Sequence, residues 1–389
     1  MALDILTRDV PASVRADPFA TTGFGPDSAA PLAFHRTLPG FEPTPLRELS
    51  GLAAALGVAR VLVKDESWRA GLPAFKITGG SWGAANAIRR EWLDGDPATT
   101  ESFPALREAV QRLLAEQPER ALALVTATDG NHGRSIARFA AMLGIRARIL
   151  MPRGSAAARV EAIAGEGAEV TVIDGGYDDA VAQAAALASP DRIVVSDTSW
   201  PGYAQTPRDV IDGYSTQFLE IDEQLAEAGW TAPTHVVLQG GVGAFPAAGV
   251  RHYAARGPRL VVVEPTAAAC LLASARAGRI TEAPGPHPSA MAGLNCGLPS
   301  LIAWPLLDRL VGAFIAIDDD VLPETARLLA AEGVEAGESG MAGVAGVLAA
   351  ARAGRGAELG LGPSSTVLFV VTEGVTDPDN YRRLLAAPA

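Results

Sequence analysis

Two rhythms of apolar residues alternate along this chain. Short, almost unbroken runs of Val, Leu and Ile, bounded by Gly, Pro or Asp, read as strands buried on both faces. Between them lie stretches with apolar positions three and four apart, the spacing of a helix with one buried side. The strand runs of the first half are VARVLVKDES, ending near Lys64, then ALALVTAT, RARILMP, AEVTVID and DRIVVSD. THVVLQG, PRLVVVEP and STVLFVVTEG follow in the second half. Helical spacing covers 45–56, 81–93, 105–117, GRSIARFAAMLG closed by Gly144, SAAARVEAIAGEG with Ser155 as N-cap, and YDDAVAQAAALA. It returns over 207–227, from about Phe245, and in TARLLAAE and GMAGVAGVLAAARA. The first 40 residues, rich in Pro, Gly, Ala and Thr, read as an irregular arm.

Strands alternating with helices imply right-handed crossovers and parallel sheets. Two such series, parting near residue 200, predict an α/β protein with two lobes of parallel-rich sheets, flanking helices and a site between the lobes. A chain of 389 residues is long for a single core, which agrees with two lobes.

Composition removes several classes of function. A net charge of −12 argues against a nucleic-acid partner, which needs a basic face. No apolar run reaches the roughly 18 residues of a membrane span. The start, MALDILTRDV, carries acid where a signal peptide wants base, so a cytoplasmic protein is expected. Cys270 and Cys296 are too few for a disulfide framework or a structural zinc site. His35, His132, His235, His252 and His287 show no metal-ligating spacing, so no metal is expected.

Lysine usage changes the picture most. Lys and Arg total 32, yet only Lys64 and Lys76 are lysines. Arginine replaces lysine on a surface or in an ion pair but cannot act as an amine nucleophile, because its guanidinium stays protonated. A lysine surviving in this background is a candidate for imine chemistry. Lys76 sits in a Gly/Pro-flanked turn before a helix, where the dipole and low polarity would depress its pKa. Lys64, beside Asp65 and Glu66, reads as an ion-paired support. The plainer alternative for Lys76 is a surface residue at a helix start.

Four segments at strand ends carry further chemistry. In TATDGNHGRSIA a strand enters a Gly-bearing loop and then a helix, so backbone N–H groups face an anion such as a substrate carboxylate. Asn131 offers an amide there, and Asp129 faces a cationic substrate group, shuttles protons, or is an ordinary turn residue. In VLQGGVGAFPAAG, Gly240, Gly241 and Gly243 precede a helix with no P-loop lysine nearby. That suits a cofactor phosphate rather than a nucleoside triphosphate, or else a plain tight turn. Asp197 in SDTSW is a second candidate acid or base, and Thr372 in VVTEG could meet a pyridine nitrogen. Each could equally be a capping residue.

Taken together, Phe75-Lys76, the GNHG loop from Gly130 to Gly133, the Gly-rich turn and the last-strand hydroxyl resemble the fold type II, or β-family, pyridoxal-phosphate enzymes. Within that family the chain is most similar to the diaminopropionate ammonia-lyases, through AFK (74–76), TGG (78–80), TDGNHGR (128–134), YDD (177–179), DTSW (197–200), MAGLNCG (291–297), GESG (337–340) and TEGVTD (372–377). The dehydratases of the family resemble SSGNHG where this chain has TDGNHG. A hydroxy-amino acid gives Asp129 no partner, whereas a 3-ammonio group does. The resemblance implies pyridoxal 5'-phosphate held as a Schiff base on Lys76, and α,β-elimination of D- or L-2,3-diaminopropionate to pyruvate and two ammonia through an aminoacrylate. It implies Lys76, Asp129 and Asp197 as bases, with Asp129 and the other two on opposite faces of the substrate. Thr128, Asp129, Gly130 and Asn131 would bind substrate; Asn131, Thr372 and the turn Gly240, Gly241, Val242, Gly243 would bind cofactor. It also implies a homodimer, a large domain (1–83 plus 200–389) and a small mobile one (84–199). Both cysteines would fall near the site, as free thiols or as a redox-sensitive pair. The alternative is a serine/threonine dehydratase or a β-replacing synthase of the same fold.

Overall fold

The computed structural model describes residues 3–387. Among them the chain forms β1 (Leu3–Thr7), β2 (Leu46–Glu48), β3 (Arg60–Asp65), β4 (Ala123–Ala127), β5 (Arg146–Met151), β6 (Glu169–Val172), β7 (Arg192–Val194), β8 (His235–Gln239), β9 (Arg259–Pro265), β10 (Ala313–Ile317) and β11 (Thr366–Val371). They make a seven-stranded sheet ordered β1-β10-β9-β8-β11-β3-β2 and a four-stranded sheet ordered β6-β5-β4-β7. The smaller sheet is wholly parallel. In the larger one the five inner strands are parallel, and only the edges β1 and β2 run antiparallel to their neighbours. Every residue of β4, β8, β10 and β11 is buried. Helices cover both faces of such strands, which is why they read as continuous apolar runs rather than alternating ones.

All eight expected strands form, within three residues at their ends. The irregular arm is a correction: it contributes β1 and the helices Ala12–Ala16 and Ala30–His35. As an edge strand, β1 is only half-buried, so it lacks the apolar run that betrays an inner strand. The helix expected over 45–56 opens instead with β2 and begins at Ser50. The stretch 207–227 is two helices, Gln205–Gly213 and Ser215–Ala228, parted at Tyr214. Ser155 does not cap its helix: its hydroxyl donates to Pro152 O at 2.8 Å, and the helix starts at Ala157.

Lys64 takes the supporting role its acidic neighbours suggested. At the end of β3 its Nζ donates to Glu220 Oε2 and Thr44 O, both at 2.7 Å, and to Gln224 Oε1 at 3.0 Å. Arg69 completes the cluster, bonding Glu220 Oε1 at 2.7 Å and Glu66 Oε1 at 2.5 Å. All four charged side chains are buried, and two cations balance two carboxylates. Removing one member leaves an uncompensated buried charge, at a cost of about 3–5 kcal/mol. Glu220→Gln should therefore lower the unfolding free energy, measured by denaturant titration, by an amount of that order. Glu108→Ala, which breaks the exposed pair with Arg112, should cost at most about 1 kcal/mol. Equal effects from the two substitutions would contradict a structural role for the cluster.

Candidate active site

A cleft with an empty volume of about 870 Å³, its open mouth included, lies where the carboxyl ends of β4, β7, β8 and β11 meet. Open parallel sheets bind ligands at such ends because the loops there are free to converge. Lys76 enters it from the N-cap of the helix Ile77–Trp92, which begins earlier than its periodicity suggested. Its Nζ donates to Asp197 Oδ2 at 2.7 Å. Burial works against the ammonium, but the Asp197 carboxylate and the Tyr214 phenol outweigh it and raise the Lys76 pKa above the ordinary lysine value. The expected depression is thus reversed, because the helix end and the apolar wall are weaker than one carboxylate in contact. Burial likewise opposes the charge of Asp197, yet Lys76 holds that carboxyl down at about 2.

The TDGNHG loop leaves β4 and enters the helix Asn131–Leu143. Thr128 Oγ1 accepts from Gly130 N at 2.9 Å and Gly133 N at 3.0 Å, so this hydroxyl shapes the loop from within. Gly133 must be glycine: a Cβ there would lie 2.2 Å from Thr128 Cγ2 and 2.8 Å from Ile149 Cγ2. Asp129 lines the cleft, and burial pushes its carboxyl up to about 7, with nearby Arg159 opposing that rise. Asn131 Nδ2 donates to Glu373 Oε2, tying this loop to the end of β11. His132, by contrast, is a buried structural residue whose Nε2 meets Val195 O at 2.8 Å, and burial lowers its pKa.

Across the cleft, β8 runs into Gly241, Val242 and Gly243 and the helix Ala244–Tyr253. Gly243 has φ 94°, a left-handed conformation that favours glycine. No side chain caps this helix, so its first turn presents N–H donors to the cleft. Gly240 stands apart: its N–H is given to Val263 O at 2.9 Å, and it does not line the cleft. Thr372 follows β11, and its Oγ1 accepts from Gln239 Nε2 at 2.7 Å. The Thr372 proton is thereby left to point elsewhere, which suits a donor aimed at a ring nitrogen.

Of the residues singled out from sequence, Lys76, Thr128, Asp129, Gly130, Asn131, Asp197, Gly241, Val242, Gly243 and Thr372 line this one cleft. Arg159, Tyr177, Gln239, Ser339 and Glu373, to which the sequence alone assigns no role, line it too, as does Cys296, which the resemblance places near the site. Four of these six lie in or beside quoted motifs, YDD, MAGLNCG, GESG and TEGVTD, and Gln239 immediately precedes the glycines. Arg159 carries no such signal. Cys270 and Cys296 are both free, buried thiols. Burial raises the pKa of each.

The model of the family described as pyridoxal-phosphate dependent enzyme matches residues 37–373. The chain belongs to this family. It is 38% identical over 371 residues to the diaminopropionate ammonia-lyase of Salmonella typhimurium, covering 91% of this chain and 90% of that one. The Escherichia coli K12 protein of the same name is 39% identical over 368 residues, covering 90% and 89%. Among solved structures, the holo form of the Escherichia coli diaminopropionate ammonia-lyase superposes with a TM-score of 0.84 at 33% identity, covering 100% of this chain and 99% of that one.

Pyridoxal phosphate has three ends to satisfy, and this pyridoxal-phosphate enzyme has chemistry suited to each. An amine, Lys76, stands free of any other lysine to meet the aldehyde. The uncapped helix start behind Gly241–Gly243 suits the phosphate. The Thr372 hydroxyl, oriented by Gln239, suits the ring nitrogen. The residues present fit the cofactor.

Proposed function

We propose that this enzyme eliminates ammonia from D- and L-2,3-diaminopropionate, giving pyruvate and two molecules of ammonia. The carrying observation is Asp129: a half-buried carboxyl, pushed up to about 7, in the same cleft as Lys76 and Asp197. When bound, pyridoxal phosphate supplies an electron sink that makes the Cα–H bond of an amino acid acidic. The chain supplies everything else. Lys76 would anchor the cofactor through its ε-amine, Gly241 to Gly243 its phosphate, and Thr372 its ring nitrogen. As a free amine the Lys76 Nζ would accept the Cα proton, with Asp197 beside it to stabilise the ammonium that results. Asp129 would accept the Cα proton of the other hand of the substrate, and as a carboxylate, before that transfer, it would give the bound 3-ammonium a counter-charge. A hydroxyl at the same carbon has no charge to offer Asp129.

The resemblance further supports a cytoplasmic homodimer, with 84–199 as a small mobile domain against 1–83 plus 200–389. That division fits the four-stranded sheet being drawn wholly from 123–194. The Asn131–Glu373 bond would then span the two domains and hold the substrate loop against the cofactor side.

The decisive measurement is pyruvate release from D- and L-diaminopropionate and from D- and L-serine, at equal concentrations with the cofactor band monitored. The diamino acids should turn over roughly a hundredfold faster or more, the scale on which a buried charge discriminates its partner. Serine turnover at an equal or higher rate would make the enzyme a dehydratase instead.

A further inference from the structure

An α-amino acid brings a carboxylate into the cleft, and the loop Thr128–Asn131 answers it with neutral donors only. Besides Lys76, which the cofactor would engage, and His132, whose pKa burial lowers, one cation lines the cleft among the described residues. That cation is Arg159, on the first turn of the helix Ala157–Ala164. Among the described residues its side chain makes no ion pair within 4.0 Å and no hydrogen bond. The helix gains nothing from it either, since a positive charge at a helix N-terminus opposes the macrodipole. Its stem lies across the substrate loop: a Cβ built on Gly130 would sit 3.3 Å from Arg159 Cδ. Its charge is felt by both acids of that wall, Asp129 and Glu373.

We propose that Arg159 receives the substrate α-carboxylate and is a specificity-determining residue of this site. The inference rests on the proposed reaction and sharpens it. A diamino acid carries a carboxylate at one end and a 3-ammonium at the other. Arg159 and Asp129 form the complementary pair, a permanently charged guanidinium and a carboxyl free to ionise, both lining the cleft. The guanidinium has two parallel N–H donors for a carboxylate and would draw the amino acid toward the loop N–H groups. Gly130, between the two, leaves the approach open.

Binding separates this role from turnover. The visible band of the holoenzyme is titrated with D- and L-alanine, which have no leaving group at Cβ, and with the corresponding alaninamides, which lack the carboxylate. For Arg159→Gln the apparent dissociation constant for alanine should rise roughly tenfold or more, the loss of one charge-assisted contact, and that for alaninamide by less than about threefold. Arg159→Lys should recover much of the alanine affinity, since it restores the charge without the fork. With diaminopropionate the same Arg159→Gln enzyme should show a raised KM and a kcat changed only a few-fold. Equal weakening of both ligands, or unchanged alanine binding, would overturn the assignment. So would a shifted pH profile with unchanged alanine binding, because Arg159 would then act only by tuning Asp129. Failure of the diaminopropionate reading would appear separately, as wild-type preference for serine, and would leave the alanine titration interpretable.

Discussion

Lys76→Ala should purify without the visible band of lysine-bound cofactor and should release pyruvate at least about 10⁴-fold more slowly than the wild type. The size follows from two losses at once, the covalent anchor and a base, each contributing factors of about 10² or more. Lys76→Arg should fail as completely, since a guanidinium keeps the charge beside Asp197 but cannot condense with an aldehyde. The chain contains its own control. Borohydride reduction of the holoenzyme fixes the cofactor onto whichever lysine carries it, and only Lys64 and Lys76 are available. Peptide mapping should find the label on Lys76 alone. Burial lowers the Lys64 pKa, whereas the Lys76 pKa is raised, so a criterion of pKa alone would choose wrongly. Access decides: Lys64 is fully enclosed by Glu220, Gln224 and Thr44, and Lys76 opens on the cleft. Label on Lys64, or a visible band persisting in Lys76→Ala, would overturn the anchor.

How much of this was written in the sequence follows from what each element depends on. The inner strands were legible because burial on both faces demands apolar residues at every position, and β8 and β11 satisfy that locally. The run AFIAI of β10 is equally apolar, is as long as β4 and β8, and is bounded by Gly312 and Asp318, so it belongs to the same legible class although it is not among the strand runs named from the sequence. β1 was missed because its register against β10 is set by a partner some 310 residues away rather than by its own pattern. The site divides in the same way. Lys76, Asp129 and the glycines were legible because scarcity, a charge out of place and a turn requirement are properties of single segments. Gln239, Glu373 and Arg159 were not, because their roles exist only where separate strand ends and the Ala157–Ala164 helix converge. The Lys76 pKa failed likewise: its direction is set by Asp197, 121 positions away.

Asp129→Asn is the second large effect, and its signature is asymmetry. The substitution keeps shape and removes only the ability to carry charge and accept a proton. For the enantiomer whose Cα–H faces Asp129, kcat/KM should fall by about 10²–10⁴, the usual contribution of a positioned base. For the other enantiomer, served by Lys76, the loss should be confined to the weaker hold on the 3-ammonium, on the order of tenfold. The pH dependence gives a second reading. With its carboxyl at about 7, Asp129 is protonated below that pH and cannot accept the Cα proton, so kcat/KM for its enantiomer should rise through pH 7 in the wild type. Asp197, held at about 2, stays ionised throughout and adds no limb in that range. In Asp129→Asn the limb near 7 should vanish for that enantiomer. A bound 3-ammonium favours the ionised carboxylate, so the same limb should appear at lower pH in kcat than in kcat/KM. Serine, with no second charge, should show no such displacement between the two profiles. Equal losses for both enantiomers, with the limb intact, would remove Asp129 from the role of base and leave it as a charge that only selects the substrate.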